Sequence, residues 1–422
     1  MSPEQAKLLA GSIDFLDSGS AGPDILRFLA WLGITEPEVL EDAEDFRKLL
    51  RFAQGLHRFF ELPLPDAPGL SAFGAELNIA RWAEGESGIF GVSGVAESRL
   101  AAFRACIAEA IEFVSQYLDG DAAVHLRISS PEPAVISLTQ GYADWSVDGP
   151  VATVPSPDGG GATRRFPATL CYRNANLPGP APLQNLGIGC GSGATSAAAL
   201  HHALFEWIER DAMALWWLGA RQGRPVALET LAQTEMAGIA TRARQGQQTR
   251  RTWFLDISTD IGVPVMAALS TDGHGNGFAY GFGAGANTAA AMKAAFLELC
   301  QIELADRIVA AKRHESGDDK LNDTDRMHLR RHSEIDASWE ILHPGGAPRD
   351  HVAQADPEAA LAAAGLDVLT IDLTRADIGV PVWRTFVPGL QPMPSATELP
   401  RLREAQKAAH GRVHNHRAIR IV

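Results

Sequence analysis

The chain has 422 residues, 46% of them hydrophobic, and a net charge of −14; that is enough apolar material for one large domain or two ordinary ones. The acidic balance repels a phosphate backbone and argues against a nucleic-acid partner, and no run approaches the ~18 apolar residues of a membrane span. Cys106, Cys171, Cys190 and Cys300 lie far apart without C-x-x-C spacing, a pattern that argues against a disulfide framework or a zinc site and fits a reducing cytoplasm.

MSPEQAKLLAGSIDF lacks an uninterrupted apolar stretch and does not read as a signal peptide. Residues 1–80 read as a mostly helical extension: ILRFLAWLGI and FRKLLRFAQGLHRFFEL carry apolar residues at helical spacing, broken at SGSAGPD, ITEPE and LPLPDAPG. From about residue 85 Gly-rich turns, Ala-rich helices and β-branched runs take over. RTWFLDIS, VPVMAALS, DVLTIDLT and VPVWRTFV read as buried strands. Residues 311–351 read mainly as loop with some helix, and 401–422 as a polar tail ending GRVHNHRAIRIV. Helices alternating with strands predict a mixed α/β (α+β) domain over residues 81–400.

The chain repeats itself. GSGATSAAALHHALFEWIE (191–209) and GAGANTAAAMKAAFLELCQ (283–301) align without a gap, and a weaker copy, GVAESRLAAFRACIAEAIE, starts at Gly94. The two stronger copies open on G-x-G-Ala and a pair of residues suited to helix capping. All three copies place polar residues at i and i+3: Glu109 and Glu112, Glu206 and Glu209, Glu298 and Gln301. A small residue (Cys106, Ala203, Ala295) precedes the first Glu by three.

Residues three apart share one side of a helix, with Cβ atoms about 5–6 Å apart. At an effective dielectric of about 20, two carboxylates ~5 Å apart repel by roughly 3 kcal/mol. On a face flanked by Ala, Leu, Phe, Ile and Trp that repulsion calls for a cation, and carboxylates with Gln are oxygen ligands suited to Mg2+, whose usual companion is a phosphate. Arg210, Asp211 and Arg307 follow the second and third acidic pairs; the arginines can bind phosphate in fork geometry or pair with these acids, and both readings stay open. GSGATS lacks the Lys and spacing of a phosphate loop, and GIGCGSG lacks a dinucleotide-binding context. His201 and His202 read as structural, and His414 and His416 as part of a flexible tail.

ALFEWIERDAMALWW, with Glu206, Glu209, Arg210 and Asp211, resembles the E-x-x-E-R-D-A helix of the YcaO-domain family. IAEAIEF resembles its first acidic helix and LELCQIELADR its E-x-x-Q helix. LDISTDIGVPVMAAL and IDLTRADIGVPVWRTFVPGL are similar to its paired D-x-T…G-x-P-V strands. The resemblance implies ATP and Mg2+ held among acidic helices, with Glu109, Glu112, Glu206, Glu209 and Glu298 as candidate magnesium ligands. Arg210 and Gln301 join them as nucleotide-binding candidates, with Glu303 and Arg307 as weaker ones. It further implies O-phosphorylation of a peptide backbone amide by a cytoplasmic enzyme. The product is an azoline formed by cyclodehydration of Cys, Ser or Thr, or alternatively a thioamide made with a TfuA-like partner. The implied partners are a precursor peptide, a leader-peptide-binding protein, a flavin dehydrogenase and a second copy in a homodimer.

The chain departs from the family pattern at Ala105, Ala194 and Ala198, where polar residues are frequent, and in ending RAIRIV rather than Pro-rich. A degenerate scaffold that binds peptide or partner without turning over ATP is therefore the competing reading. A metal-dependent hydrolase unrelated to ATP is a third.

Overall fold

The computed structural model describes residues 2–35, 43–118, 127–129, 151–157, 163–174, 177, 187–226, 236–350, 352–395, 397–409, 419 and 421. In chain order the elements are helices α1 (Pro3–Ser18), α2 (Pro23–Leu32) and α3 (Ala43–Ala53), strands β1 (Arg58–Leu62), β2 (Ser71–Asn78) and β3 (Ile89–Ala96), and helix α4 (Arg99–Ser115). Strands β4 (Arg127–Ser129), β5 (Val151–Pro157), β6 (Thr163–Pro167) and β7 (Cys190–Ser192) lead to helix α5 (Ser196–Trp217). Then come β8 (Arg224–Pro225), α6 (Met236–Arg244), β9 (Arg251–Asp256), β10 (Val265–Thr271), β11 (Ala279–Ala284) and α7 (Thr288–Ser316). The chain continues through α8 (Asp323–Glu334), α9 (Pro357–Ala363), β12 (Leu369–Asp372), β13 (Val382–Phe386) and α10 (Pro400–Ala408). The fold is mixed α/β, as expected, and the described strand pairings are antiparallel.

Two compact units divide the chain. One comprises Met1–Pro63, Leu70–Ala203 and Leu369–Phe386, the other Leu64–Gly69, Leu204–Val368 and Val387–Val422. Within the expected helical stretch 1–80, α-helix persists only to Ala53. The expected helix through HRFFEL is instead strand β1, because Gly55 interrupts the helical run and the aromatic pair that follows favours a pleated surface. β1 pairs with β2 and β2 with β3. Phe46, Phe59, Phe73 and Phe103 meet in stacked and edge-on contacts 4.9–5.8 Å apart; each buried ring is worth roughly 1.5–3 kcal/mol.

The four expected strands appear as β9, β10, β12 and β13, in two closely matching hairpins. In the second unit Asp256 Oδ1 accepts the Ser258 N–H at 2.8 Å and Ser258 Oγ accepts the Val265 N–H at 2.9 Å. In the first unit Asp372 does the same for Thr374 at 2.8 Å, and Thr374 for Val382 at 3.1 Å. Gly262 (φ 81°) and Gly379 (φ 71°) occupy the left-handed backbone region in these turns, which is why the G-x-P-V motif needs its glycine. Each hairpin borders a glycine strand: the sheet orders are β11-β10-β9-β8 and β12-β13-β7.

The repeated small residues find their explanation in helix-on-strand packing. A Cβ on Gly94 would lie 2.3 Å from Cys106 N, one on Gly191 2.6 Å from Ala203 N, and one on Gly283 2.5 Å from Ala295 N. Helix backbone thus rests directly on strand backbone in all three repeats. Gly283→Ala is expected to destabilise the protein by about 1–3 kcal/mol through overpacking against backbone that cannot move aside. Gly91→Ala, whose methyl meets nothing within 4 Å, should be near neutral; thermal melts of the two variants check this.

The 311–351 stretch is more helical than expected, since α7 runs to Ser316 and α8 follows it. Asn322 caps α8 through the Asp325 N–H at 2.8 Å, and Asp325 returns a bond to the Asn322 N–H at 2.9 Å, a capping box readable in N-D-T-D. His414 and His416 lie outside the described residues.

Candidate active site among the acidic helices

The repeat pairs become clamps in the structure. In the first unit Glu109 accepts the Ser93 N–H at 3.2 Å, one residue before Gly94 on β3. Glu112 reaches the next repeat, where its Oε1 accepts both the N–H and the hydroxyl of Ser192 at 2.8 Å, one residue after Gly191. The second unit follows the same rule. Glu298 accepts the Phe282 N–H, one residue before Gly283, and Glu209 accepts the Ala284 N–H at 3.1 Å, one residue after it. Glu109 and Glu298 thus bind the strands of their own repeats, and Glu112 and Glu209 bind the strand of the following repeat. These backbone donors orient the carboxyl groups, the support that ligating carboxylates need.

Glu206, Glu209 and Glu298 share one guanidinium. Arg210 Nη2 stands 3.4 Å from Glu206 Oε1, and its charge also acts on Glu209 and Glu298. Burial, followed by repulsion from Glu298, pushes the Glu209 carboxyl up to about 8, and burial likewise raises Glu298. Three carboxyl groups therefore act on the guanidinium of Arg210. Arg210 Nε is buried without a hydrogen-bond partner among the described residues, a donor suited to an anion. Converging carboxyl groups together with an unused guanidinium N–H fit a magnesium–phosphate group. Among the described residues no three His, Cys, Asp or Glu side chains gather as a metal centre; a dispersed set suits Mg2+, which takes one or two carboxylates and completes its octahedron with water and phosphate.

A pH dependence follows from the Glu209 shift. A carboxyl raised in the folded state holds its proton there after the unfolded chain has released it, so stability falls as pH rises from the ordinary 4.5 to about 8. In Mg2+-free buffer the wild-type melting temperature is expected to drop across that window, and Glu209→Gln to flatten the slope. A difference of at least about 2 °C, the effect of roughly 1 kcal/mol in a domain this large, should be visible by calorimetry.

Gln301 lies three residues beyond Glu298 on α7, half-buried. The structure assigns Glu303 and Arg307 to a different network. Glu303, 3% exposed, receives Arg244 Nη1 and Nη2 at 2.6 and 2.9 Å, Arg250 Nε at 3.3 Å and the Ser270 hydroxyl at 2.6 Å. Arg307 forks onto Asp66 at 2.8 and 2.9 Å, an acid distant in sequence and absent from the expected pairings. Asp211 is fully buried and is held by Arg401 at 2.8 Å and by the Gln391 N–H at 2.9 Å. Of the E-R-D run, then, Arg210 joins the acidic cluster and Asp211 anchors the 391–401 segment. The strand N–H groups at Ser93, Ser192, Phe282 and Ala284 escaped sequence reasoning. The signal for them was the glycine each adjoins.

Antiparallel glycine strands carrying acid-bearing helices, with a carboxylate cluster around one arginine, fit a nucleotide-binding class without a phosphate loop. A family model described as YcaO cyclodehydratase, ATP- and Mg2+-binding, matches residues 93–391. The chain belongs to the YcaO family, whose cofactors are ATP and Mg2+.

Solved structures share the fold. A heterocyclase in complex with substrate and cofactor matches with TM-score 0.65 and 20% identity over 85% of this chain and 54% of that one; this chain spans about half its length. YcaO from Methanopyrus kandleri, bound with AMPPCP and Mg2+, matches with TM-score 0.54 and 18% identity over 87% of this chain and 90% of that one. The E. coli microcin synthetase McbBCD complex with pro-MccB17 bound gives 0.54 and 13% over 78% and 87%. No curated protein matches the sequence. Among the described residues no helix is long and apolar enough to cross a membrane.

Proposed function

We propose that the chain uses ATP and Mg2+ to O-phosphorylate a peptide backbone amide, leading to azoline-forming cyclodehydration of Cys, Ser or Thr. The observation that carries this reading is the half-buried cluster of Glu206, Glu209 and Glu298 around Arg210, whose carboxyl groups and unused Arg210 Nε–H suit a magnesium–phosphate group. Phosphoryl transfer is mainly positioning and charge stabilisation, which such a cluster supplies. Glu109, Glu112, Glu206, Glu209 and Glu298 are the proposed magnesium ligands, with Arg210 and Gln301 on the nucleotide.

The family's description as cyclodehydratases and the substrate-bound heterocyclase support an azoline product. The complex that binds pro-MccB17 supports a precursor peptide and partner proteins, here a leader-peptide-binding protein and a flavin dehydrogenase. Residues 81–400 are the proposed catalytic domain, a range supported by the match at 93–391, preceded by an extension of three helices and strands β1 and β2 and followed by a tail. The proposed setting is the cytoplasm.

Mass spectrometry of candidate precursor peptides incubated with the protein, its partners and Mg2+-ATP tests the reading. Loss of one water at a Cys, Ser or Thr site is expected. Exchange of an amide oxygen for sulfur would replace azoline formation by thioamidation, and ATP binding with no change in any peptide would leave the scaffold reading.

A further inference from the structure

At one position the second repeat carries an imidazole where the other two carry alanine. Four residues before the first Glu of each repeat stand Ala105, His202 and Ala294. His202 lies on α5 one turn ahead of Glu206, on the same side of the helix, and it is exposed where Ala199 and Ala203 are buried. Its Nδ1 is 2.7 Å from the Ser192 carbonyl oxygen. A carbonyl oxygen can only accept, so Nδ1 carries the proton, and the tautomer this selects has its lone pair on Nε2. Ser192 is also the residue whose N–H and hydroxyl hold Glu112. One serine thus fixes both the tautomer of an exposed imidazole and the orientation of a candidate magnesium ligand, the orienting bond expected of a general base.

We propose that His202 is the proton acceptor of the reacting centre. This rests on the reading above, in which a Cys, Ser or Thr side chain adds to a backbone amide. An S–C or O–C bond forms at the amide carbon, the carbonyl π pair moves onto oxygen, and the thiol or hydroxyl proton passes to Nε2. The oxyanion then takes the γ-phosphoryl group as the bond to ADP breaks. Expulsion of phosphate breaks the C–O bond while the nitrogen pair forms C=N, the amide proton leaves with the phosphate, and the imidazolium returns its proton to water. The carboxylates of the cluster are the proposed magnesium ligands, whereas an imidazole held through Nδ1 directs Nε2 to the substrate proton. A base matters most for hydroxyls, because a cysteine thiol of pKa about 8.5 already supplies some thiolate at neutral pH. The loss on removing His202 should therefore be larger for Ser and Thr than for Cys.

Nitrogen-15 histidine NMR tests the tautomer, with the His202 signal assigned from its loss in His202→Gln. The Nδ1–H form is expected, and the Nε2–H form would overturn the proposal. Diethylpyrocarbonate, which acylates an unprotonated ring nitrogen, tests the location by peptide mapping with and without Mg2+-AMPPCP. Strong protection of His202 is expected. An unchanged rate in a sample shown by calorimetry to bind AMPPCP would sink the role of His202 and leave the ATP-dependent reading standing, whereas failure to bind AMPPCP would remove both. On synthetic peptides bearing Ser or Thr, His202→Gln should keep AMPPCP affinity and lose about 10²–10⁴-fold in turnover, with added imidazole restoring part of the activity of His202→Gly. Full turnover in His202→Gln would overturn the assignment.

Discussion

Glu209→Gln is expected to abolish tight Mg2+-ATP binding while leaving the protein folded. Burial and repulsion from Glu298 push the Glu209 carboxyl up to about 8, and it is fixed by the Ala284 N–H at 3.1 Å. An amide of the same shape can still accept that backbone bond but supplies no charge to a cation. The loss in affinity should exceed about 100-fold, the upper end of what removing a ligand's supporting partner costs. Without Mg2+ the same variant should melt at or above the wild-type temperature near pH 8, because it no longer confines an excess carboxylate. Calorimetric titration and thermal melts on one preparation separate the two effects. Undiminished affinity would move the nucleotide away from this cluster; weak affinity with a collapsed melting temperature would make Glu209 a structural residue.

Glu303→Ala should show the opposite pattern. Its side chain is 2% exposed and neutralises Arg244 and Arg250, themselves 9% and 10% exposed. Removing one partner of a buried ionic network leaves uncompensated charge in a medium that solvates it poorly, at a cost of about 3–5 kcal/mol. Here two guanidinium groups and the Ser270 hydroxyl lose their acceptor together. Urea unfolding is expected to show a large fall in stability, and at temperatures where the variant stays folded nucleotide affinity should be retained. A stable Glu303→Ala that fails to bind ATP would return Glu303 to the nucleotide site. The two glutamates lie five residues apart in sequence from Glu298 to Glu303 on α7, yet Glu298 faces the Arg210 cluster and Glu303 faces Arg244 and Arg250.

Local sequence determined the three repeats, the strand-forming runs of both hairpins and the acids at i and i+3, because glycine spacing, alternation and helical periodicity are short-range properties of a chain. The family resemblance carried the cofactors with them. Sequence by itself could not say that Glu112 and Glu209 clamp onto the strand of the following repeat, because those bonds span 80 and 75 residues. The same limit hid the pairing of Arg307 with Asp66 across 241 residues and of Asp211 with Arg401 across 190. Strand β1 was misread for a related reason: a short aromatic run after a helix is compatible with either period, and its pairing with β2 decided the outcome. His202 shows the same division. Its place one turn before Glu206 is written in the sequence, but the proton on Nδ1 is assigned by the carbonyl of Ser192, which only the packing of α5 against β7 brings within 2.7 Å. Helix period says which residues share a face. Which partner a charged or polar group finds there depends on long-range packing, since burial and the distance between charges set its energy.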